Sequence, residues 1–326
     1  MNILIIRYSS LGDVILTIAA AKNIKADSMD NNVDILTKEE YVPILRNNRY
    51  IDNVITGISW KKKYDYVVDL HNSIRSNIVK HLIRTKRILT YNKASYARRL
   101  YVRTGRRSAE LDETVIDRYL HPLKEIGMEA DYTAPEIGLG EEELEAAGRM
   151  VSDTDYIALC PGAKWKTKEW LAENYIALAV KIIRDLDMNI ALLGSNDDTG
   201  LSNEIYKGVG VLKKHITDMT GKTGLRELAC LIKKSRLLVT TDSGPMHLGW
   251  AVGTRTIALF GPTVKEFGFQ PVDPGISIID KDMECRPCSL HGSNKCKFKD
   301  HACMRRIEVY EVMDKIKKAL RMQKTG

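Results

Sequence analysis

Asn2-Ile3-Leu4-Ile5-Ile6-Arg7-Tyr8-Ser9-Ser10-Leu11-Gly12-Asp13-Val14-Ile15-Leu16-Thr17-Ile18-Ala19-Ala20-Ala21 sets out the plan of the whole chain. Residues 3–6 form an apolar, β-branched run that reads as a strand. Residues 7–13 form a turn of small residues with a carboxylate where the helix of 14–21 begins. A strand that passes into a helix in this way opens a βαβ unit. The turn is not G-x-G-x-x-G, so the dinucleotide fingerprint is missing and a nicotinamide-dependent oxidoreductase is not supported. Asp13 has a plain reading as a helix cap and a sharper one as a carboxylate directed into a ligand cleft. A helix N-terminus favours the charged carboxylate and so weakens it as a base.

The same rhythm continues outward. Strands are predicted at 33–36, 66–69 and 88–91, and the pattern restarts at 156–160, 190–193, 237–241 and 256–260, each run ending in Gly, Asp or Pro. Two α/β units follow, with a boundary between about residues 135 and 153, at the Pro/Gly-bearing Ala134-Pro135-Glu136-Ile137-Gly138-Leu139-Gly140 and the acidic helix start Glu141-Glu142-Glu143. We divide the chain as 1–145 and 146–326, with the amphipathic, basic helix of 309–322 free to pack back on the first domain. Two doubly wound domains would bring the carboxyl ends of their sheets to one cleft, where ligands of such sheets bind. With 326 residues, 44% hydrophobic and 28% charged, each half can bury a core, which excludes disordered, collagenous and disulfide-scaffold classes. No signal-peptide pattern and no run of about 18 apolar residues is present, so a cytoplasmic protein is expected, its six cysteines thiols or metal ligands. The net charge of +8 leaves nucleic acid, anionic lipid and phosphorylated substrates open.

Three clusters carry chemistry. Around Asp13 lie Ser10 and Gly12. Cys160-Pro161-Gly162-Ala163-Lys164-Trp165-Lys166-Thr167-Lys168-Glu169-Trp170 leaves the first strand of the second half with three lysines, either a solvated face or a set of cations placed to hold a diphosphate. Thr241-Asp242-Ser243-Gly244-Pro245-Met246-His247 ends a strand and opens a very short helix, with Gly244 expected as N-cap, Pro245 as first helical residue and Gly253 as terminator. Its amides make an anion site, Asp242 could accept hydrogen bonds from sugar hydroxyls, and His247 would lie in the first turn.

Two signals are discounted. Gly221-Lys222-Thr223 resembles the end of a P-loop, but Ile216 stands where the earlier Gly is needed, so it reads as a turn capping a helix over 224–234. Cys285, Cys288, Cys296 and Cys303 could bind a structural zinc, pack as buried thiols or bond in a redox-dependent way. Residues 75–107 hold Lys80, Arg84, Lys86, Arg87, Lys93, Arg98, Arg99, Arg103 and Arg106 among others, with no Asp or Glu, so the first domain is expected to meet an anion. The interleaved Tyr91, Tyr96 and Tyr101 would also suit nucleic acid, but a zinc-containing nucleic-acid-binding protein would leave Asp13, Asp242 and His247 idle.

In order along the chain, the 7–13 opening, Val68-Asp69-Leu70 with Arg75, Pro161-Gly162-Ala163 with Lys168 and Trp170, Leu193-Gly194-Ser195, Gly221-Lys222-Thr223 with Leu225, the 242–247 loop, Phe260-Gly261-Pro262-Thr263 and the 285–304 tail resemble glycosyltransferase family 9, the heptosyltransferases of lipopolysaccharide assembly. The resemblance implies an α/β GT-B fold of two facing Rossmann-like domains. It also implies inverting transfer of a heptose from ADP-heptose to a lipopolysaccharide core acceptor, with no cofactor and no catalytic metal. By position, Asp13 looks like the general base and Lys168 the lysine steadying the departing diphosphate. Lys164, Asp242, Ser243, Gly244, His247, Gly261 and Thr263 fall to the donor, and Ser10, Gly12, His71, Arg75, Arg98 and Arg99 to the acceptor. The implied partners are a nucleotide sugar, a phosphorylated lipid-linked glycan and, peripherally, the cytoplasmic face of the inner membrane, with no nucleic acid. Another nucleotide sugar or glycan acceptor on the same fold is the alternative. The chain departs from the family pattern at His71, Lys164, Leu171 and Gly249-Trp250.

Overall fold

The computed structural model describes residues 1–59, 62–151 and 155–324; position 153, the upper limit of the expected boundary, lies outside them. The chain divides into two compact units. The first comprises Met1–Tyr101, Arg106–Gly138 and Lys265–Phe269; the second comprises Val102–Gly105, Leu139–Val264 and Gln270–Gly326.

The first unit is built on β1 (Asn2–Ile6), β2 (Asn32–Leu36), β3 (Asn53–Ile55), β4 (Lys63–Asp69) and β5 (Arg84–Thr90), in the order β3-β2-β1-β4-β5. Every pairing is parallel. Its helices are α1 (Leu11–Asp27), α2 (Val42–Leu45), α3 (Ile74–Leu82), α4 (Ser95–Thr104, whose last residues belong to the second unit) and α5 (Val115–Lys124). The apolar run of β1 is buried because neighbours pair with it on both sides, Ile6 lying between Leu36 and Asp69. The order reverses between β1 and β4, so their carboxyl ends frame a switch-point crevice. Arg7 and Asp69 stand there.

The second unit begins with α6 (Glu141–Gly148) and alternates β6 (Tyr156–Cys160), α7 (Ala172–Leu186), β7 (Asn189–Leu192), α8 (Thr199–Gly208), β8 (Ile216–Asp218), α9 (Leu225–Lys234), β9 (Leu237–Thr241), α10 (Gly244–Ala251), β10 (Thr256–Phe260) and β11 (Ile276–Asp280). It closes with α11 (Ala302–Arg305) and α12 (Val309–Lys324). The order β11-β10-β9-β6-β7-β8 is again all parallel, and its switch point lies between β6 and β9, where Cys160 pairs with Thr240. Helix α12 lays Val312, Met313 and Ile316 into the core of this unit, beside Leu178, Ile182 and Trp170. The edge strands β3, β8 and β11 are additions to the strands read from sequence. One capping detail is corrected: Ser243, in extended conformation, is the N-cap of α10, and Gly244 and Pro245 are its first helical residues.

The Lys265–Phe269 return stitches the first unit together. Gly268 has φ +80°, its carbonyl accepts from the Val115 amide at 2.9 Å, and the Phe267 carbonyl accepts from Arg118 at 2.9 Å. A Cβ on Gly268 would lie 2.8 Å from the backbone at Glu113 and Val115. Gly268→Ala is therefore expected to cost about 2 kcal/mol or more in chemical denaturation, with a wild-type midpoint counting against the strain.

Candidate functional site

The candidate residues fall into one constellation in each unit. In the first, Arg7 leaves β1 almost fully buried and spends its whole guanidinium locally. It donates to the carbonyls of Ser9 and Leu70 and to the Tyr91 hydroxyl at 3.3 Å, and pairs with Asp13 Oδ1 at 2.6 Å. Tyr119, stacked edge-on against Tyr91, donates to the same Oδ1 at 3.3 Å. The other oxygen of Asp13 accepts from the Ser10 amide at 3.1 Å and the Ser10 hydroxyl at 2.8 Å. Asp13 thus caps α1 and faces the crevice at once. Burial works to raise its pKa, but Arg7 and the Ser10 donors outweigh it and hold the carboxyl below the usual carboxylate range.

Asp69 closes β4 and is fully buried. Its Oδ1 accepts from the amides of His71 and Asn72, and its Oδ2 from Ser76 at 3.0 Å, with Lys80 at 3.3 Å. It fixes the loop that presents His71, whose ring meets Tyr8 edge-on at 5.5 Å, while Arg75 covers the Tyr8 ring at 4.3 Å. His71 Nδ1 is buried with no hydrogen-bond partner. Arg98 is buried, donating to the Lys93 carbonyl at 2.6 Å, and lies 6.0 Å from the Phe269 ring; Arg99 faces solvent. Asp69 organises this loop without being a candidate from sequence; its position at the end of a strand, ahead of a loop and a helix, is the signal that marks it.

In the second unit Lys168 is the inward member of the three lysines. Lys164 is exposed over the Trp165 ring and Lys166 pairs with Glu169 at 3.0 Å, whereas Lys168 Nζ contacts Asp242 Oδ2 at 2.5 Å and the Asp242 carbonyl at 3.2 Å. Thr263 donates to the same Oδ2 at 2.5 Å. Burial pushes the Asp242 pKa up, but Lys168, Thr263 and His247 prevail and lower it. Lys168 and Asp242, assigned to diphosphate and sugar respectively, here hold one another. Ser243 caps α10 beside them, with Gly244 the first helical residue, and the Ser243 hydroxyl accepts from the Thr241 hydroxyl at 3.1 Å. Gly261 is a packing position: a Cβ there would lie 2.6 Å from Met304 Sδ and 3.1 Å from the Thr167 carbonyl. Trp250 is at the far end of α10, bonded to Asp273 at 3.2 Å, and Gly249 lets that helix close on Leu238 and Thr256.

The cysteine-bearing tail braces this constellation. Thr167 donates its amide to the Ser293 carbonyl at 3.0 Å, its hydroxyl bonds both the amide and the carbonyl of Ser293, and its carbonyl meets His301 Nε2 at 2.8 Å. Arg286 donates to the Thr263 carbonyl at 2.7 Å and pairs with Asp280. The cysteines are free thiols, and among the described residues they do not assemble into a set of three or more metal ligands.

Residues 60–299 match the sequence profile described as glycosyltransferase family 9 (heptosyltransferase). The chain belongs to that family. It is 26% identical to lipooligosaccharide heptosyltransferase 2 of Haemophilus influenzae, over 82% of this chain and 85% of that one. It is 28% identical to lipopolysaccharide heptosyltransferase 3 of Escherichia coli K12, over 77% and 80%. The structure of E. coli ADP-heptose lps heptosyltransferase II superposes with a TM-score of 0.80 at 21% identity, covering all of both chains. The fold is therefore GT-B with two Rossmann-like units, and the protein is a glycosyltransferase.

The environment of His71 has a consequence that stability measurements reach. Burial first, then Arg7 and Lys93, push its pKa from 6.5 down to about 4. Between those values the unfolded chain takes up a proton that the folded chain refuses, so stability is full above about pH 6.5 and falls as pH drops toward 4. The urea midpoint should decline from pH 7 to pH 5, and His71→Gln should shrink that decline; an equal decline in the variant would remove His71 as its source.

Proposed function

We propose that this glycosyltransferase moves a heptose from ADP-heptose to a lipopolysaccharide core acceptor, inverting the anomeric carbon and using no metal ion. It would work peripherally at the cytoplasmic face of the inner membrane. The observation that carries the reading is the Lys168–Asp242–Thr263 group beside the N-terminus of α10, a half-buried cation on a buried, hydrogen-bonding carboxylate at the switch point of a Rossmann-like unit. Family membership and the heptosyltransferase relatives supply the sugar. Among the described residues no helix is long and apolar enough to cross a membrane.

In this mechanism the acceptor hydroxyl attacks the anomeric carbon while Asp13 takes its proton. A carboxylate held ionised by Arg7 is in the right protonation state throughout the neutral range, though a weak base. Proton transfer becomes favourable as the oxygen bonds to carbon and its acidity rises. Lys168 turns from Asp242 toward the leaving diphosphate, offsetting the charge that develops there. Asp242, released, accepts hydrogen bonds from the sugar. Ser10, Gly12, His71, Arg75, Arg98 and Arg99 serve the acceptor, and Lys164, Ser243, Gly244, His247, Gly261 and Thr263 line the donor side.

Titration calorimetry with ADP, GDP and UDP, each with and without EDTA, should show a preference for ADP that EDTA leaves unchanged. Preference for another nucleotide would move the donor to a different sugar. Asp13→Ala should lower kcat by about 10²- to 10⁴-fold with donor affinity nearly intact, because the base acts on the transition state. Transfer at the wild-type rate would remove Asp13 from the role. Lys168→Ala should weaken donor binding and slow transfer together. It should also destabilise the fold by about 3 kcal/mol, since Asp242 is left buried without its cation; Lys168→Arg should restore stability before it restores activity.

A further inference from the structure

The mechanism leaves one surface of the first unit unused. Helix α3 turns Ser76, Val79 and Lys80 inward against Asp69 and the β4 core. Its outer side carries Ile74, Ile78 and Leu82, which are 83%, 59% and 47% exposed. Residues four apart on a helix share one stripe, so the three form an apolar ridge about 12 Å long. Scattered exposed aliphatics are ordinary, but a contiguous ridge marks a surface that meets something other than water.

The surrounding charge identifies the partner. Residues 70–109 contain no Asp or Glu. Arg75 and His81 are exposed on α3 itself, and Arg84, Lys86 and Arg87 on the edge strand β5 that follows it. Lys86 and Arg87 reach Asp65 and Glu125, and cations also guard a free strand edge, but neither fact accounts for the aliphatic ridge. A second copy of the chain meeting this side about a twofold axis would set like charges against each other. A nucleic acid would satisfy the cations and leave the ridge in water. An anionic phospholipid surface satisfies both, aliphatics entering the headgroup boundary and cations meeting lipid phosphates. The ridge also starts beside one of the proposed acceptor residues: Ile74 adjoins Arg75, which covers Tyr8.

We propose that Ile74, Ile78 and Leu82 insert into an anionic phospholipid surface and seat the first unit on the membrane that carries its acceptor. This rests on the reading of that unit as the acceptor's and names its lipid contact.

The test is flotation of the full chain with vesicles of phosphatidylethanolamine and phosphatidylglycerol, against vesicles of phosphatidylcholine alone. The parent should partition to the anionic vesicles, less so in high salt. The triple variant Ile74→Ser, Ile78→Ser, Leu82→Ser should lose about tenfold or more of that partitioning, and Arg84→Ser about fivefold. The triple variant should transfer to a delipidated acceptor at the parent rate and to a vesicle-embedded acceptor more slowly. As a second measure, Ile78→Trp should show a fluorescence blue shift on adding anionic vesicles. Parent-like flotation of the triple variant, no shift at Trp, or a parent dimer that the triple variant converts to monomer would each overturn the proposal. If the ridge governs flotation but no heptose is transferred, the sugar assignment falls and the membrane seat stands.

Discussion

A carboxylate buried at the carboxyl end of a parallel sheet has to be held by a cation, and that requirement organises both halves of this molecule. Arg7 holds Asp13 in the first unit and Lys168 holds Asp242 in the second. A charge moved out of water without a partner costs several kcal/mol, so each ion pair dictates the backbone around it. Arg7 must leave β1 pointing inward, which brings Leu70, Tyr91 and Tyr119 around its guanidinium. Lys168 must turn inward while Lys164 and Lys166 remain outside. The two pairs nevertheless differ in what ligand binding asks of them. In the proposed mechanism Asp13 acts with Arg7 still attached, whereas Lys168 and Asp242 each exchange a protein partner for a substrate one.

The tail at 285–301 fixes the turn that carries the half-buried Lys168. Ser293 and His301 take up every polar atom of Thr167, so the turn carrying Lys168 is fixed by its backbone, one residue away from the amine. Arg286 does the same for the loop of Thr263. Gly261 is small because the Thr167 carbonyl and Met304 press against it. The tail therefore acts as a brace through Arg286, Ser293 and His301, residues that its spaced cysteines obscured in the sequence.

The two-unit α/β plan was legible because apolar β-branched runs ending in turn residues are a strong local signal, and the central strands fell where that signal was strongest. Strands β3, β8 and β11 were not: β3 and β8 have only three residues, and all three lie at sheet edges, where half-buried residues lose the pattern. Asp13 and Asp242 stand out because each lies at a strand-to-helix turn, whereas Lys168 is separated from Lys164 and Lys166 only by the family resemblance. Their partners do not: nothing local marks Arg7 as the cation for Asp13, and Tyr119 lies more than a hundred positions from that carboxylate. Such pairings are properties of the closed chain. The one-residue shift of the α10 cap has a local cause, since Ser243 is extended and Gly244 already helical.

Neither unit is a continuous stretch of sequence, since residues 102–105 belong with the second and 265–269 with the first. Arg118 finds its carbonyl partner 149 positions downstream, on the segment that also supplies the partner of the Val115 amide. A first half grafted from a relative at the 138–139 junction would arrive without a piece of its own packing. Recombination between halves, an easy evolutionary route for enzymes joined by a single linker, is obstructed in this architecture. New sugar or acceptor preferences have then to arise by substitution within one inherited chain.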